Sequence, residues 1–395
     1  MAEWNVIVVG GGISGASFAH LAANQGLRAL VLEKEGVAGG SFATRELSDG
    51  FWVELGAHTV YSSYAALLGL VENLGLAGDI VPREKAPYRM LVDGTVVSPL
   101  SRVHLLEGAL SVPKLLFGTA TKQGKSVREY YSSVLGGGNY TDVFSHVAAA
   151  VLSQNADDFP ADVLFKKRPK NAAYPRSLTL KRGLCSVVEA ALTGEGVRLR
   201  TGAEVVTLSR SGSGYVVTLE DGEELTTDRV CLAAPASVTA RLLEGVDTEA
   251  GRALAEIAPT VRVQSLGLAA PGGRVGLPPF AFLIAAGEAF TSVVSRDVVP
   301  HSTRRGAVFH FRADSLPRAA RLARAGEVLG VDPDETEVAE TVHVCPRLSV
   351  GHGGKIQALD GRLKSNPGLF TVGNYFEGLA IEDCVRRARA ESERL

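Results

Sequence analysis

A glycine-rich turn close to the start constrains this 395-residue chain more than any other feature. The apolar run Val6–Val9 leads into Gly10, Gly12 and Gly15, and a helical pattern follows. Gly10 permits a tight turn, Gly12 lets the backbone approach a ligand closely, and Gly15 lets the helix pack against the strand. The N-terminus of that helix offers free N–H groups and a partial positive charge. The pattern therefore predicts a buried parallel strand followed by a phosphate-binding turn.

An acidic residue completes this unit. A second strand is predicted over Arg28–Leu32, and Glu33 stands at its end, 18 residues beyond Gly15. A carboxylate there accepts hydrogen bonds from the hydroxyls of an adenosine ribose and repels a 2′-phosphate. We therefore expect a dinucleotide site that disfavours NADP. The alternative is that the glycines serve only a turn.

Two further glycine-containing segments favour FAD over NAD. Gly39-Gly40 follows the acid by seven residues, an extension that is typical of flavoproteins whose chain folds back over the pyrophosphate. Near the other end, the strand pattern Leu369–Val372 leads into Gly373 and then into a helical pattern. That junction predicts a second anion-binding position, suited to the flavin side of the cofactor. The alternative is an ordinary connection between a strand and a helix.

Short blocks along most of the chain carry a family resemblance. They are Gly39–Gly56, Ala86–Pro99, Leu180–Leu184, Gly202–Val206, Gly351-His352 and Gly373–Cys384. With these blocks the chain resembles the FAD-dependent amine-oxidase superfamily, and within it the protoporphyrinogen and coproporphyrinogen oxidases. It departs from that pattern at Ala57, where the family has a proline, and it is shorter than most members between about 255 and 345.

The resemblance implies an α/β fold with a Rossmann-like FAD-binding domain of the GR2 type and an interleaved α+β substrate domain. The FAD-binding domain is expected to use 1–85, 180–250 and 345–395. The substrate domain is expected to use 86–179 and 251–344.

The resemblance also implies noncovalent FAD binding. The expected cofactor contacts are Gly10, Gly12, Ile13, Ser14, Gly15, Glu33, Lys34, Gly39, Gly40, Ser41, Gly56, Ala57, Val205, Gly373, Asn374, Gly378, Leu379, Ala380 and Ile381. No catalytic side chain is predicted, because the flavin performs the redox step.

Four residues are candidates for substrate contact. Arg89 matches a family arginine that pairs with a substrate carboxylate, and His58, His352 and Tyr375 are expected near the flavin ring. Each has a structural alternative. Arg89 would be a surface cation on a strand and His58 a loop histidine. His352 would be a turn histidine and Tyr375 a core aromatic residue.

The expected reaction removes a hydride from a reduced carbon next to an electron-rich nitrogen ring and delivers it to flavin N5. The substrate is a small molecule, porphyrinogen-like or otherwise carboxylated and nitrogen-bearing, and the electrons pass to oxygen or another acceptor. One alternative is an amine oxidase or desaturase of specialised metabolism, and another is a non-catalytic FAD-binding scaffold. The chain has no lysine between Lys181 and Lys355, which disfavours a standard polyamine or monoamine oxidase.

Composition excludes several other classes of protein. The 41 basic and 43 acidic residues give a net charge of −2, which excludes a nucleic-acid binder that works by bulk electrostatics. The four cysteines lack metal-binding or disulfide spacing, so we expect no metal site and a reducing compartment. Without a targeting or membrane-spanning run, a cytoplasmic monomer or homodimer is expected. The leucine-rich stretch 98–118 is interpreted as core or interface packing, with peripheral membrane contact as the alternative.

Overall fold

A computed structural model describes residues 3–107, 121–313 and 315–395 of the chain. Its longer helices are α1 (Ile13–Ala23), α2 (Ala65–Asn73), α3 (Val127–Leu135), α4 (Ser145–Leu152), α5 (Cys185–Leu192), α6 (Ala236–Glu244), α7 (Thr248–Ile257), α8 (Arg318–Leu329), α9 (His352–Lys364) and α10 (Ile381–Ser392). Its strands are β1 (Val6–Val9), β2 (Ala29–Leu32), β3 (Thr44–Glu46), β4 (Trp52–Glu54), β5 (Val60–Tyr61), β6 (Ile80–Pro82), β7 (Tyr88–Val92), β8 (Thr95–Val97), β9 (Ser177–Leu180), β10 (Val197–Arg200), β11 (Val205–Ser211), β12 (Gly214–Leu219), β13 (Glu224–Thr227), β14 (Val230–Leu232), β15 (Thr260–Pro271), β16 (Phe282–Ala286), β17 (Phe290–Ser295), β18 (Arg304–Arg312), β19 (Glu337–Pro346) and β20 (Leu369–Thr371).

A five-stranded parallel sheet is built from distant parts of the chain, in the order β10-β2-β1-β14-β20. Its central strands are continuous apolar runs because both faces are covered. Helices α1, α2, α5 and α10 pack on one face. Helices α6, α7 and α9, with the antiparallel sheet β11-β12-β13, pack on the other. This three-layer α/β arrangement confirms the predicted Rossmann-like fold.

A second, seven-stranded sheet runs in the order β19-β15-β18-β17-β16-β7-β8. Helix α8 covers one of its faces, where Ala325 and Leu329 join the aromatic cluster around Phe309. The opposite face meets Val53 and Leu55, at the end of β4. That contact brings this sheet against the segment that leads away from the parallel sheet. The assignment of chain segments to two domains remains our proposal.

Several local sequence patterns form the structures that they predict. The Asp93-Gly94 turn joins β7 to β8, with positive φ at both residues, as a tight hairpin requires. Gly222 turns the chain between β12 and β13. Helix α8 begins after Pro317 and ends at Gly330, which adopts the left-handed conformation. The pattern of 101–160 predicts mostly helix with a break at the glycines 136–138. Helices α3 and α4 form in this stretch, with a break at Gly136.

The elements that were not predicted include α6, α7, α9 and the ten-residue strand β19. Helix α9 has two glycines in its first turn, Gly353 and Gly354, and such residues lower helix propensity. Strand β19 lies at the edge of its sheet and is mostly half-buried, so its apolar alternation is weak. Tertiary packing, rather than local pattern, therefore stabilises these elements.

The leucine-rich stretch 98–118, interpreted as core or interface packing with membrane contact as the alternative, lies only partly within the structure, because 108–118 falls outside the described residues. In the part that is described, Leu100, Leu105 and Leu106 are strongly exposed. Among the described helices, none combines the length and apolar character needed to cross a bilayer. Both interpretations of the stretch stay predictions.

Candidate active site

The predicted phosphate-binding turn lies at the carboxyl edge of the parallel sheet. Gly10 has φ +108°, and a Cβ added there would stand 2.9 Å from the carbonyl oxygen of Ala233. A Cβ on Gly15 would stand 2.0 Å from the carbonyl oxygen of Gly10, so this helix position admits only glycine. Both glycines do what the sequence predicted, since one makes the turn and the other lets α1 pack close to it.

The N-terminus of α1 is open to an anion. Its N-cap is Gly12, which has no side chain to hydrogen-bond the first N–H groups, including those of Ile13 and Ser14. The nearest atom to a Cβ added at Gly12 is Cα of Gly40, 3.6 Å away. This backbone cradle and the positive end of the helix dipole fit the pyrophosphate of a dinucleotide.

Glu33 lies beside this cradle and is almost fully buried. One carboxylate oxygen accepts the N–H of Gly11 at 2.7 Å, and the other accepts the N–H of Glu35 at 3.0 Å. The Ala203 N–H donates to the Glu33 carbonyl, which brings the start of β11 alongside. These bonds hold the carboxylate in place and leave lone pairs on both oxygens for ribose hydroxyls.

The second glycine pair folds back onto the first, as predicted. Gly39 donates its N–H to the Gly11 carbonyl at 3.1 Å, and a Cβ on Gly40 would stand 3.1 Å from Cα of Gly12. Beyond the pair, the Ser41 carbonyl accepts the Ala57 N–H at 2.7 Å. The chain therefore runs from the phosphate cradle towards 56–58 through backbone contacts.

The C-terminal anchor reaches the same edge of the sheet. Gly373 follows β20 with φ +154°, and its neighbour Val372 donates its N–H to the Leu232 carbonyl. Helix α10 begins after Ala380, which, like Gly12, provides no side-chain cap. Cys384, inside that helix, is buried, and burial raises the pKa of its thiol to about 12.

The other predicted cofactor residues surround this edge. Lys34 is exposed and pairs with Glu35. Val205 is the first residue of β11, and its side chain is buried. Gly378 has φ +144° and closely approaches the Asp383 carboxylate. Leu379 packs against the helical cluster that includes Phe159. Asn374, Ile381 and Gly56 complete this group. Their contacts with a cofactor remain predictions.

A cluster of three histidines lies beyond Ala57. The Nε2 atoms of His58 and His310 are 2.8 Å apart, and His310 Nδ1 is 3.0 Å from Ser265 Oγ. His343 Nε2 is 2.8 Å from the carbonyl oxygen of Leu55. Burial lowers the pKa of all three rings, that of His310 to about 3 and that of His58 well below its usual range. The rings are therefore neutral at physiological pH.

The two facing nitrogens couple the tautomers of His58 and His310. When His58 Nε2 donates, His310 carries its proton on Nδ1 and donates to Ser265. When His310 Nε2 donates, His310 Nδ1 accepts the Ser265 hydroxyl proton. The tautomer of one ring therefore fixes which nitrogen of the other carries its proton.

A charged recess adjoins His58. It is small, with a volume of about 20 Å³, and is partly open to solvent, and its walls include Trp52, Glu54, Arg83 and Arg296. The Arg296 guanidinium lies 3.8 Å from the centre of the Trp52 ring, and its Nε donates to the Trp52 carbonyl at 3.2 Å. Burial lowers the pKa of both arginines, that of Arg296 to about 10. Both remain cationic at neutral pH.

Glu54 is the acid of this recess. Its carboxyl oxygens accept the Leu184 N–H at 2.7 Å and the Thr44 hydroxyl at 2.8 Å. Burial raises its pKa to about 7, although these bonds and the two arginines oppose that shift. At neutral pH this group is partly protonated and only partly offsets the two guanidinium charges.

Two of the predicted substrate contacts lie at buried positions, and their contact with a substrate stays a prediction. Tyr375 is wholly buried in the core beneath the parallel sheet, and its hydroxyl donates to the Val372 carbonyl at 3.3 Å. His352 is also buried, at the start of α9, with Nε2 2.7 Å from the Tyr375 carbonyl. Both side chains are occupied by packing, which was the structural alternative for each.

The structure separates Arg89 from the histidine cluster. Arg89 pairs with Leu283, and the register across the next two strands puts both on the face of the sheet that carries Phe309. Met90, the next residue, shares the opposite face with His310. Its side chain therefore leaves the sheet on the α8 side, away from His310, and its pairing with a substrate carboxylate stays a prediction. His58 alone of the four candidates reaches the recess.

Sequence analysis missed most of the residues that meet His58. They are His310, His343, Ser265, Glu54, Arg83 and Arg296. They come from six separate segments, and no motif joins them. The available signal was the alternation in 261–311, which puts Ser265 and His310 on inward-facing positions only once the register of the sheet is known.

Comparison with known families gives two matches. Residues 8–74 match the family described as "NAD(P)-binding Rossmann-like domain". Residues 123–263 match "Flavin containing amine oxidoreductase". The first match covers the phosphate cradle and Glu33, and the second runs from α3 into β15.

Two curated relatives align with almost the whole chain. The coproporphyrinogen III oxidase of Propionibacterium freudenreichii subsp. freudenreichii is 25% identical, covering 98% of this chain and 90% of that protein. The coproporphyrinogen III oxidase of Bacillus subtilis (strain 168) is 22% identical, covering 98% of this chain and 96% of that protein.

A solved structure shares the fold from end to end. The crystal structure named "Putative protoporphyrinogen oxidase from Exiguobacterium sp. 255-15" superimposes with a TM-score of 0.81 at 20% identity, covering 100% of this chain and 99% of that one. Putrescine oxidase bound to putrescine superimposes less closely, with a TM-score of 0.69 at 16% identity over 99% and 98% of the two chains.

Proposed function

We propose that this chain is a member of the flavin-containing amine oxidase superfamily and that it is an FAD-dependent oxidase or dehydrogenase of carboxylated, porphyrinogen-like substrates. The comparisons support an enzyme, a flavin-dependent oxidoreductase of the protoporphyrinogen and coproporphyrinogen oxidase type. The proposal adds the form of the flavin, its noncovalent binding and the class of substrate.

One structural observation carries the proposal. Backbone contacts join the phosphate cradle at Gly12 to Gly39-Gly40, and Ser41 joins that pair to Ala57, beside the recess at His58. A dinucleotide held in the cradle would therefore have its far end near a cavity lined by polar groups. Such an arrangement suits a dinucleotide that carries a redox ring.

Several features support noncovalent FAD. Glu33 stands where a 2′-phosphate would be repelled, and Gly373 with the uncapped start of α10 supplies a second anion-binding end. Cys384 is a buried, protonated thiol, which is unsuited to covalent attachment. The bound FAD would supply the redox chemistry, as the acceptor of a hydride at N5.

The residues of this chain would orient the substrate, exclude water and move a proton. Removal of a hydride from a carbon next to nitrogen leaves a cation that then loses a proton. His58 lines the recess and is held neutral by burial, so its ring would be the group that accepts that proton. Oxygen or another acceptor would then take the electrons.

Anaerobic stopped-flow spectroscopy tests the proposal. We expect coproporphyrinogen III or protoporphyrinogen IX to bleach the flavin absorbance of the holoenzyme, while putrescine and cyclohexylamine leave it unchanged. Bleaching by the amines alone would favour the amine oxidase alternative. A protein that binds FAD but is reduced by neither class would contradict the proposed substrate.

A further inference from the structure

Lys166 places an ammonium group at the start of α10, the end of the fold that is proposed to hold the flavin. Its Nζ donates to the carbonyl oxygen of Glu377 and lies 3.4 Å from the position of a Cβ added at Gly378. Gly378 stands two residues before Ala380, the uncapped N-terminus of α10. The Lys166 side chain keeps 27% of its surface exposed. A cation therefore packs on the backbone beside the predicted cofactor contacts and retains surface for a ligand.

Two buried acids stand in the first turn of α10, where an unpaired carboxylate would repel an anion. Glu382 accepts the N–H groups of Ala66 and Leu67, at the start of α2, both at 3.0 Å. Asp383 accepts Nη2 of Arg168 at 2.7 Å. Each carboxylate therefore has a positive partner of its own, either a helix N-terminus or a guanidinium. The start of α10 consequently keeps the positive end of its dipole for a ligand.

The charge of Lys166 is surplus to this arrangement. Within 4 Å of its Nζ the described residues provide one carboxylate, Asp383 at 3.7 Å, and Arg168 lies closer to the same oxygen. The Glu377 carboxylate pairs with Arg386 at 3.4 Å. Nε of Arg168 is also buried, with no hydrogen-bond partner in the described part of the chain. Two cations thus face one carboxylate, which leaves a net positive charge at this end of the site.

We infer that Lys166 is the residue that, together with the N-terminus of α10, stabilises the negative charge of the reduced flavin. Hydride transfer brings one proton and two electrons to the neutral ring and makes it an anion, whose charge lies on the edge formed by N1 and the C2 carbonyl. A cation beside that edge lowers the free energy of the reduced form more than that of the oxidised form. The inference rests on the proposed FAD and its reaction, but it requires no particular substrate.

The midpoint reduction potential of the bound flavin tests the inference, with dithionite as the electron source and no substrate present. Lys166→Met removes the charge and keeps an unbranched side chain. We expect the equilibrium between reduced and oxidised FAD to shift about tenfold towards the oxidised form, which is a fall of ~30 mV for a two-electron couple. The affinity for oxidised FAD, measured by flavin fluorescence, should change less, because the oxidised ring is neutral.

Matched variants separate the charge from the packing. Lys167→Met removes the same charge from the exposed neighbouring residue and should leave the potential unchanged. Lys166→Arg keeps a cation and should stay close to the wild type. Asp383→Asn removes the carboxylate that the two cations share, so it should raise the potential, opposite to Lys166→Met. If Lys166→Met does not fold, the opposite shifts expected of Lys166→Gln and Asp383→Asn decide the matter.

Equal potentials in the wild type and Lys166→Met would overturn the inference and leave the proposed function intact. An equal fall in Lys167→Met would also overturn it, as would a weaker FAD affinity in Lys166→Met without a change of potential, the mark of a purely structural contact. A protein that takes up no FAD would reject both the inference and the proposed cofactor. A shifted potential in an enzyme that coproporphyrinogen III does not reduce would keep the inference and reject the proposed substrate.

Discussion

Folding changes the pKa of Glu54 in a direction that can be measured. Burial raises its pKa from 4.5 to about 7, so the folded protein binds this proton more tightly than the unfolded chain. The resulting stabilisation is present below pH 4.5 and is lost as the pH rises to about 7, with a loss of about 3 kcal/mol. Glu54→Gln should remove this dependence.

The measurement is the free energy of unfolding of Glu54→Gln relative to the wild type at pH 5 and pH 8. We expect the free energy of unfolding of the variant, relative to that of the wild type, to be higher at pH 8 than at pH 5. Glu46→Gln, at an exposed position of β3, provides the control and should show a constant difference. A constant difference for Glu54→Gln as well would refute the raised pKa.

Gly15 tests the close approach of α1 to the phosphate-binding turn. A Cβ there would stand 2.0 Å from the Gly10 carbonyl oxygen, so Gly15→Ala must push the helix away from the cradle. We expect a loss of stability of about 1–3 kcal/mol and a weaker affinity for FAD, measured by flavin fluorescence. Gly69→Ala is the control, because nothing lies within 4 Å of the added Cβ in α2, and it should retain FAD.

Strands β15 and β18 bring Ser265 and His310 together, and the loop after β4 supplies His58. Burial depresses the pKa of His310 to about 3, so the unfolded chain takes up a proton that the folded protein refuses. The corresponding stability is present above pH 6.5 and is lost as the pH falls below it. His310→Gln should therefore lose less stability than the wild type between pH 7 and pH 5.

Chemical denaturation at these two pH values measures the effect. His301→Gln, at a partly exposed position on the connection to β18, serves as the control and should follow the wild type. Equal acid sensitivity of His310→Gln and the wild type would show that the ring is not held neutral.

Over the whole molecule, the cofactor site joins segments that are far apart in the chain. Residues 10–15, 39–41 and 373–381 meet at one edge of the parallel sheet, so a ligand bound there favours the folded state alone. We expect FAD to raise the unfolding temperature of the apoprotein. The free energy of unfolding should increase by about 1.4 kcal/mol for each tenfold increase in free FAD above its Kd. NADP should have no effect.

The Glu33→Ala variant should show a smaller gain in unfolding temperature with FAD than the wild type. Since Glu33 also holds two backbone N–H groups, the comparison uses the increment caused by FAD rather than the stability of the apoprotein. Glu35→Ala, at the exposed neighbouring position, is the control. Equal increments in all three proteins would reject the ribose contact.

The sequence by itself determined the dinucleotide-binding unit, because its signals are local. Gly10 and Gly15 act on atoms of the same turn, and Glu33 lies at the end of the adjacent strand. The same holds for the hairpin at Asp93-Gly94 and the left-handed end of α8 at Gly330. Each of these structures depends on backbone conformation within a few residues, which a single sequence encodes directly.

Only the tertiary structure decided which side chains line the recess at His58. The register between β7, β16, β17 and β18 put Arg89 on one face of the sheet and His310 on the other, and a shift of one residue would exchange them. The proximity of Arg83 and Arg296 in the recess depends on packing between segments more than 200 residues apart. Periodicity shows that a strand has two faces, but which of them faces the recess is set by what packs on the other.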